Sequence, residues 1–140
     1  MTNYYRYMVL DYIERSLDYL FYNCYVFSMT RADFDDFARA GVACHLMSFI
    51  LLFVWISLIS IASLIMPRKC VIAVGVILVL LHLFLYVEIH NRYEDYELRN
   101  AILKRYKPAT TAKALLVVIV YALVSLSPSL IIIAIESVVS

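Results

Sequence analysis

Four polar side chains recur along one face of the last apolar stretch of this chain. Tyr121, Ser125, Ser129 and Glu136 are spaced i, i+4, i+8 and i+15, which places them within about 80° of one another on a helical wheel. On a helix that is surrounded by lipid, such a stripe must face protein or water. It could line a pore in an oligomer, with Glu136 forming an acidic ring at the outer mouth. It could equally be a packing seam of small residues between helices.

Tyrosines and basic residues alternate in two other segments, YYRY at residues 4–7 and NRYEDYELRNAILKRYK at residues 91–107. Aromatic faces and cations together bind nucleotides and single-stranded nucleic acids. The same residue types form the girdle where membrane helices meet phosphate headgroups, and we favour this second interpretation. The candidate contacts for a cytoplasmic ligand or for headgroups are Tyr4, Tyr5, Arg6, Arg92, Arg99, Lys104, Arg105 and Lys107.

Histidines and acidic residues suggest further candidates. His90, Glu94 and Glu97 have the i, i+4, i+7 spacing of one helical face, which is a possible metal edge. No second ligand group accompanies them in the sequence, so we favour a solvated helix face and expect no metal site and no cofactor. His45 and His82 lie in or near the ends of apolar stretches, where they are functional candidates or hydrogen-bond across helices.

Motifs typical of enzymes are missing from the sequence. Its two glycines cannot form a phosphate-binding loop. The serines around Pro128 have no histidine nearby in sequence and lack the glycines of a nucleophile elbow. The three cysteines contain no CxxC pair. We therefore expect no catalytic residues and no enzymatic activity.

The composition indicates that lipid is the solvent for most of the chain. Hydrophobic residues make up 64% of the 140 residues and charged residues 16%, compared with about 45–50% and about 25% in soluble domains. Residues 41–66, 70–87 and 114–135 contain no Asp, Glu, Lys or Arg, and a bilayer core of about 30 Å needs about 20 helical residues. We predict an all-α integral membrane protein with three transmembrane helices.

Basic residues set the predicted orientation. Four arginines precede the first span and six basic residues separate the second span from the third, whereas the loop between the first two spans carries only Arg68 and Lys69. This distribution predicts a multi-pass protein of the cell membrane, with a cytoplasmic N-terminus and the C-terminus outside.

The first two helices are predicted to extend as one long hairpin into the cytoplasm, over residues 30–113. Thr30 and Asp33 resemble a capping box that would begin the first helix, and Pro108 would end the second, which starts at Cys70. The cytoplasmic stems would then comprise residues 30–40 and 88–107.

The register of this hairpin predicts contacts between opposite charges. If the chain folds back at Arg68, then Asp33, Asp35 and Asp36 lie level with residues 99–103. Exposed ion pairs contribute only about 0–1 kcal/mol each. We therefore expect these pairs to mark the register rather than to supply the stability.

Residues 1–29 are predicted to form an amphipathic cytoplasmic helix, and residues 114–140 the third transmembrane helix and the C-terminus. The helix is acidic, unlike the basic helices that bind anionic lipid, so we expect its apolar side to pack against the stems. Its polar stripe contains Tyr7, Asp11, Glu14, Arg15, Asp18 and Tyr22, and its apolar residues are Met8, Leu10, Ile13, Leu17, Leu20 and Phe21.

These features predict a small homo-oligomeric membrane channel or pore-forming protein, an effector gated by a cytoplasmic ligand such as a nucleotide or oligonucleotide. The alternative is a non-conducting membrane scaffold or accessory subunit that docks a partner protein through its cytoplasmic helices. The expected partners are the lipid bilayer, further copies of the chain, and a cytoplasmic protein or nucleotide-like ligand. A net charge of +1 argues against binding to duplex nucleic acid.

Overall fold

The computed structural model describes residues 2–29, 35–106 and 108–139, which are helical apart from short connections and contain no strand. The prediction of an all-α protein is confirmed for this part of the chain. The helices, in chain order, are α1 (Thr2–Ser28), α2 (Asp36–Ile65), α3 (Arg68–Glu94), α4 (Tyr96–Arg105) and α5 (Thr111–Val139).

Three helical segments are long and apolar enough to cross a membrane: Asp36–Ile65, Arg68–Glu94 and Thr111–Ile135. In the most apolar part of α3 no residue is buried inside the protein, and the corresponding shares are 22% in α2 and 11% in α5. Most of this apolar surface is therefore not covered by the described part of the chain itself, and exposed apolar area of this extent is typical of helices that lie in a membrane. The chain is a multi-pass membrane protein, as the charge-free stretches predict.

Helix α2 lies at the centre of the fold and packs against α1, α3 and α5. It runs antiparallel to α3, since Cys44 lies beside Ile89 and Trp55 beside His82. It runs parallel to α5, as the hydrogen bonds between these two helices show. The polar ends of the three long helices therefore meet on one side of the molecule.

Helix α3, which contains the second span, is shorter than predicted. The sequence predicts one helix from Cys70 to Lys107, but α3 ends at Glu94 and a separate helix follows. The carboxylate of Asp95 accepts hydrogen bonds from the backbone N–H groups of Glu97 at 2.8 Å and Leu98 at 3.2 Å. It thereby caps the first turn of α4, and an aspartate in this role favours a new helix start over continuation of the old helix.

The first transmembrane helix begins at Asp36, and Asp35 is its cap. The side chain of Asp35 accepts a hydrogen bond from the backbone N–H of Ala38 at 2.7 Å. The predicted capping residues Thr30 and Asp33 lie outside the described residues.

Most of the buried core lies at the polar end of the helices, and it continues into the first turns of the charge-free stretches of α2 and α5. It combines the second half of α1 and the first half of α2 with Tyr93, Ile102 and Ala114 from the other three helices. Phe21 and Tyr93 stack at its centre, with ring centroids 4.0 Å apart and planes inclined by 3°. We call this part of the molecule the head. It comprises residues 18–28, 36–50, 89–106 and 109–122.

The amphipathic interpretation of α1 is not confirmed. Leu20 and Phe21 are buried as expected, but Asp18, from the polar stripe, is also buried. By contrast, Met8 and Ile13, from the apolar side, remain 52% and 47% exposed. The reason is that α1 enters the core only with its last turns, where the other four helices surround it.

Candidate functional site at the polar end of the helices

Arg99 is buried at the junction between α3 and α4, with 4% of its surface exposed. One terminal nitrogen donates to the carbonyl oxygens of Tyr93 at 3.1 Å and Glu94 at 3.4 Å. The other donates to Oδ2 of Asp36 at 2.7 Å. The last carbonyls of a helix have no partner inside it, so Arg99 both completes the end of α3 and attaches it to α2.

Asp36 receives a second hydrogen bond, from the hydroxyl of Tyr25 on α1. Burial, together with the hydrogen bond to the Asp36 carboxylate, raises the pKa of Tyr25 to about 12. The phenol therefore remains a neutral donor at physiological pH. Through Asp36, the helices α1, α2 and α4 share one polar contact, which confirms the predicted pairing of Asp36 with the region of Arg99.

Another carboxylate, the buried Asp18, holds α1 against α3 and α4. Its Oδ1 accepts from Arg92 at 3.2 Å and from the hydroxyl of Tyr93 at 3.1 Å. Its Oδ2 lies 3.7 Å from a guanidinium nitrogen of Arg105. A buried charge is costly unless it is paired and hydrogen-bonded, and Asp18, which is 4% exposed, meets both conditions.

The sequence contained a signal for this role of Asp18. In the segment LDYLFYNCYVFS, residues 17–28, it is the only charged residue. A helix that is apolar all round is buried, so a single carboxylate within it needs a partner elsewhere in the fold.

The basic residues predicted to contact a ligand or headgroups fall into separate groups. Arg92 and Arg99 form ion pairs within the head, with Asp18 and Asp36 respectively. Lys104 is exposed, and Arg105 lines a cavity. Lys107 and the side chains of Tyr4, Tyr5 and Arg6 lie outside the part of the chain that the structure describes.

This cavity has a volume of about 590 Å³ and opens between α1, the end of α4 and α5. The hydroxyl of Tyr106 donates to the backbone carbonyl of Arg15 at 3.1 Å, which joins two of its walls. The rings of Tyr19 and Tyr106 lie 5.4 Å apart. The cavity is lined by four tyrosines, two arginines, an aspartate and a serine: Tyr12, Tyr19, Tyr106, Tyr121, Arg15, Arg105, Asp11 and Ser16.

The polar stripe of α5 is divided between two environments. Tyr121 lines the cavity beside α1. Ser129 is buried against α2, where its hydroxyl lies 3.1 Å from that of Ser57, and the Ser57 hydroxyl also donates to the backbone carbonyl of Ser125. The side chain of Glu136 lies outside the described residues. Within one chain, the side chain of Ser129 therefore faces a neighbouring helix, whereas the hydroxyl of Ser125 donates to the backbone carbonyl of Tyr121 on its own helix at 2.7 Å.

The histidines of the spans take part in contacts between α2 and α3. The indole nitrogen of Trp55 donates to Nδ1 of His82 at 3.2 Å. His45 lies 3.2 Å from the hydroxyl of Tyr86, and its ring makes an edge contact with His90 at 5.1 Å. All three of these contacts lie at the interface of the antiparallel helices α2 and α3.

The proposed metal edge does not form one continuous helical face. His90 and Glu94 belong to α3, whereas Glu97 follows the break at Asp95 and belongs to α4. Among the residues that the structure describes, no three histidine, cysteine or acidic side chains are grouped closely enough to hold a metal ion.

No protein-family model matches this chain, and no match was found among curated proteins or solved structures.

Proposed function

We propose that this protein is a non-conducting membrane scaffold, in which three apolar helices anchor a folded head that docks a partner. The observation that carries the proposal is the location of the buried core. All five helices contribute to the head, whereas the apolar windows of the spans are 0–22% buried. A binding surface benefits from a rigid support of this kind.

The polar contacts of the head support a fixed rather than a mobile arrangement. Asp18 joins α1 to Arg92 and Tyr93 on α3, and Asp36 joins α2 to Arg99 on α4. Such networks hold helices in one arrangement, although Nε of Arg92 and Nε of Arg99 are buried without a hydrogen-bond partner among the described residues. The exposed side of α4 is thereby presented at a defined place beside the spans.

The serines of α5 also favour a scaffold over a channel. A pore lining needs polar groups directed at a water path, but Ser129 is 4% exposed and paired with Ser57. Interhelical hydrogen bonds of this kind stabilise membrane helix pairs by about 0.6 kcal/mol on average. A packing seam accounts for Ser129, and the Ser125 hydroxyl is satisfied by the Tyr121 carbonyl of its own helix, so neither serine needs a second copy of the chain.

A homo-oligomeric channel is the second candidate, and the surface of α3 favours it. No residue in the most apolar part of this helix is buried within the chain, which leaves a complete helix face for contact with further copies. In that arrangement Glu136 would supply the charge at the outer mouth.

Ion flux in liposomes that contain the purified protein separates the two functions. We expect flux equal to that of empty liposomes. In native membranes, a photocrosslinker at Lys104 on the head should capture one protein partner in stoichiometric amount, and a crosslinker at the 59% exposed Val79 should capture lipid.

A leak that Glu136→Gln or Ser125→Leu abolishes would establish the channel instead. Ser127→Leu is the matched control, because Ser127 is an exposed serine of the same helix and should leave any flux unchanged.

A further inference from the structure

The cavity between α1, α4 and α5 combines charged and membrane-facing walls. Arg15 and Arg105 contribute the charged side. Tyr121 contributes the other side and lies ten residues into α5, inside the apolar segment that begins at Thr111. At 1.5 Å per residue this is about 15 Å along the helix. The cavity therefore lies where polar groups give way to hydrocarbon.

The charge of the cavity favours an anion. Its lining contains two arginines and one acid, Asp11. Asp11 is already neutralised by Arg15, with which it forms an ion pair at 2.9 Å. The second cation, Arg105, lies 3.7 Å from an oxygen of Asp18, which is outside the lining. The lining itself therefore has one more basic than acidic side chain.

The guanidinium of Arg105 has N–H donors that make no hydrogen bond within the described residues. Its nearest acidic oxygen is on Asp18, 3.7 Å away, and Asp18 is already hydrogen-bonded to Arg92 and Tyr93. The described residues supply no hydrogen-bond acceptor for Arg105, and its side chain is 57% exposed. A planar guanidinium whose N–H groups are not bonded can donate two parallel hydrogen bonds to two oxygens of a phosphate group.

Exposed apolar side chains lie close in sequence to the cavity lining on both α1 and α5. Met8, Val9 and Ile13 on α1 are 47–52% exposed, and Val120 and Val124 on α5 are 48% and 65% exposed. Tyrosines such as Tyr12, which is 73% exposed, favour positions with one apolar and one wet side. A ligand that fits both regions carries a phosphate and hydrocarbon chains together.

We propose that this cavity is a binding site for an anionic membrane phospholipid. Arg105 contacts the phosphate, the tyrosine hydroxyls surround the headgroup, and the acyl chains lie along α5. A volume of about 590 Å³ is within the range of about 300–1,000 Å³ that is usual for small-molecule sites. The site is independent of whether the protein is a scaffold or a channel.

Native mass spectrometry of the protein released from nanodiscs provides the test. From nanodiscs of mixed phosphatidylglycerol and phosphatidylcholine, the wild-type protein should retain phosphatidylglycerol preferentially. Arg105→Gln should weaken this binding about tenfold, since it removes a charge-assisted hydrogen bond. Lys104→Gln removes the same charge from the neighbouring exposed position and should change the binding less than about twofold.

Three results would overturn the proposal: no preference for phosphatidylglycerol, equal losses in Arg105→Gln and Lys104→Gln, or full displacement of the lipid by inorganic phosphate. The last result would identify a soluble phosphate compound as the ligand. If Arg105→Gln does not fold, Tyr12→Ala tests the same site, because the exposed side chain of Tyr12 is not needed for folding. An affinity for phosphatidylglycerol that Tyr12→Ala leaves unchanged would then count against the site.

Discussion

Arg99 and Asp36 lie 63 residues apart in sequence and form an ion pair at 2.7 Å in the head. The two ends of this pair differ in their environment, since 5% of the Arg99 side chain is exposed and 46% of the Asp36 side chain. The guanidinium also bonds to two carbonyl oxygens at the end of α3. Arg99 therefore stabilises both the break between α3 and α4 and the position of α4 against α2.

Replacing Arg99 by methionine should lower the free energy of unfolding of the head by about 3 kcal/mol. The substitution removes the charged partner of Asp36, which keeps only its hydrogen bond from Tyr25, and leaves two helix carbonyls without their donor. The loss of hydrogen bonds to a charged group is costly. Thermal unfolding in detergent, followed by circular dichroism, measures the change. Lys104→Met on the exposed side of α4 should cost less than about 0.5 kcal/mol, and equal effects of the two substitutions would contradict this role for Arg99.

Removing Asp18 should detach α1 from the head. Asp18→Ala leaves Arg92 without its buried partner, which we expect to cost about 3–5 kcal/mol. Asp11→Ala removes an acid from an exposed pair on the same helix, whose side chains are 67% and 58% exposed, and should cost about 0–1 kcal/mol. Limited trypsin digestion reports the difference, since cleavage after Arg15 should accelerate only in Asp18→Ala; the same rate in both variants would argue against Asp18 as an anchor.

Alkaline pH should destabilise the head through Tyr25. The pKa of this phenol rises from its ordinary value of 10.0 to about 12 because it is buried and bonded to Asp36. Below pH 10 the phenol is protonated in both the folded and the unfolded chain. Between pH 10 and about 12 only the folded chain retains the proton, so stability falls as the pH rises through this window.

The melting temperature of Tyr25→Phe should therefore fall less than that of the wild-type protein when the pH is raised from below 10 to about 11. Tyr12→Phe is the control, because Tyr12 is 73% exposed on the same helix and its removal should leave the wild-type pH dependence intact. A pH dependence that Tyr25→Phe does not alter would refute the assignment.

The three cysteines should differ in their reactivity towards a maleimide. Cys24 and Cys44 are buried, whereas Cys70 is exposed at the start of α3. Burial raises the pKa of the Cys24 thiol to about 12, and thiolate is the reactive form. We expect one label per folded chain, at Cys70, and three after denaturation.

The same reagent tests the orientation in the membrane. A membrane-impermeant maleimide should label Cys70 on intact cells if the loop between the first two spans faces outward. A cysteine introduced by Lys104→Cys in a Cys70→Ser background should react only after permeabilisation. The opposite pattern would invert the predicted topology.

The spans could be predicted from the sequence because their signal is local. Residues 41–66, 70–87 and 114–135 contain no charge, and each falls within or nearly within a long apolar helix. The end of α3 could not be predicted in the same way, because neither proline nor glycine marks it. Asp95 is an ordinary helix cap by type, but the break also depends on Arg99 reaching back to the end of α3.

The candidate site was only partly predictable, because its main contacts are distant in sequence. Arg105 was among the predicted contacts, but its neighbours Tyr12 and Tyr19 lie on α1. Asp18 and Arg92 are 74 residues apart. A helical wheel assumes that α1 is packed in the same way along its whole length, so it places Asp18 on the solvated side. In the fold, only the last turns of α1 are surrounded by other helices.

The turn at Asp95 also limits how far the protein reaches from the bilayer. Measured from Val87, where the charge-free stretch ends, α3 continues for seven residues, or about 10 Å. An unbroken helix to residue 107 would have risen about 30 Å. The folded part therefore lies close to the lipid surface. A large globular binding partner would contact the lipid headgroups before it could cover α4. Under the proposed scaffold function, the partner would therefore lie along the membrane itself or present a thin extended tail.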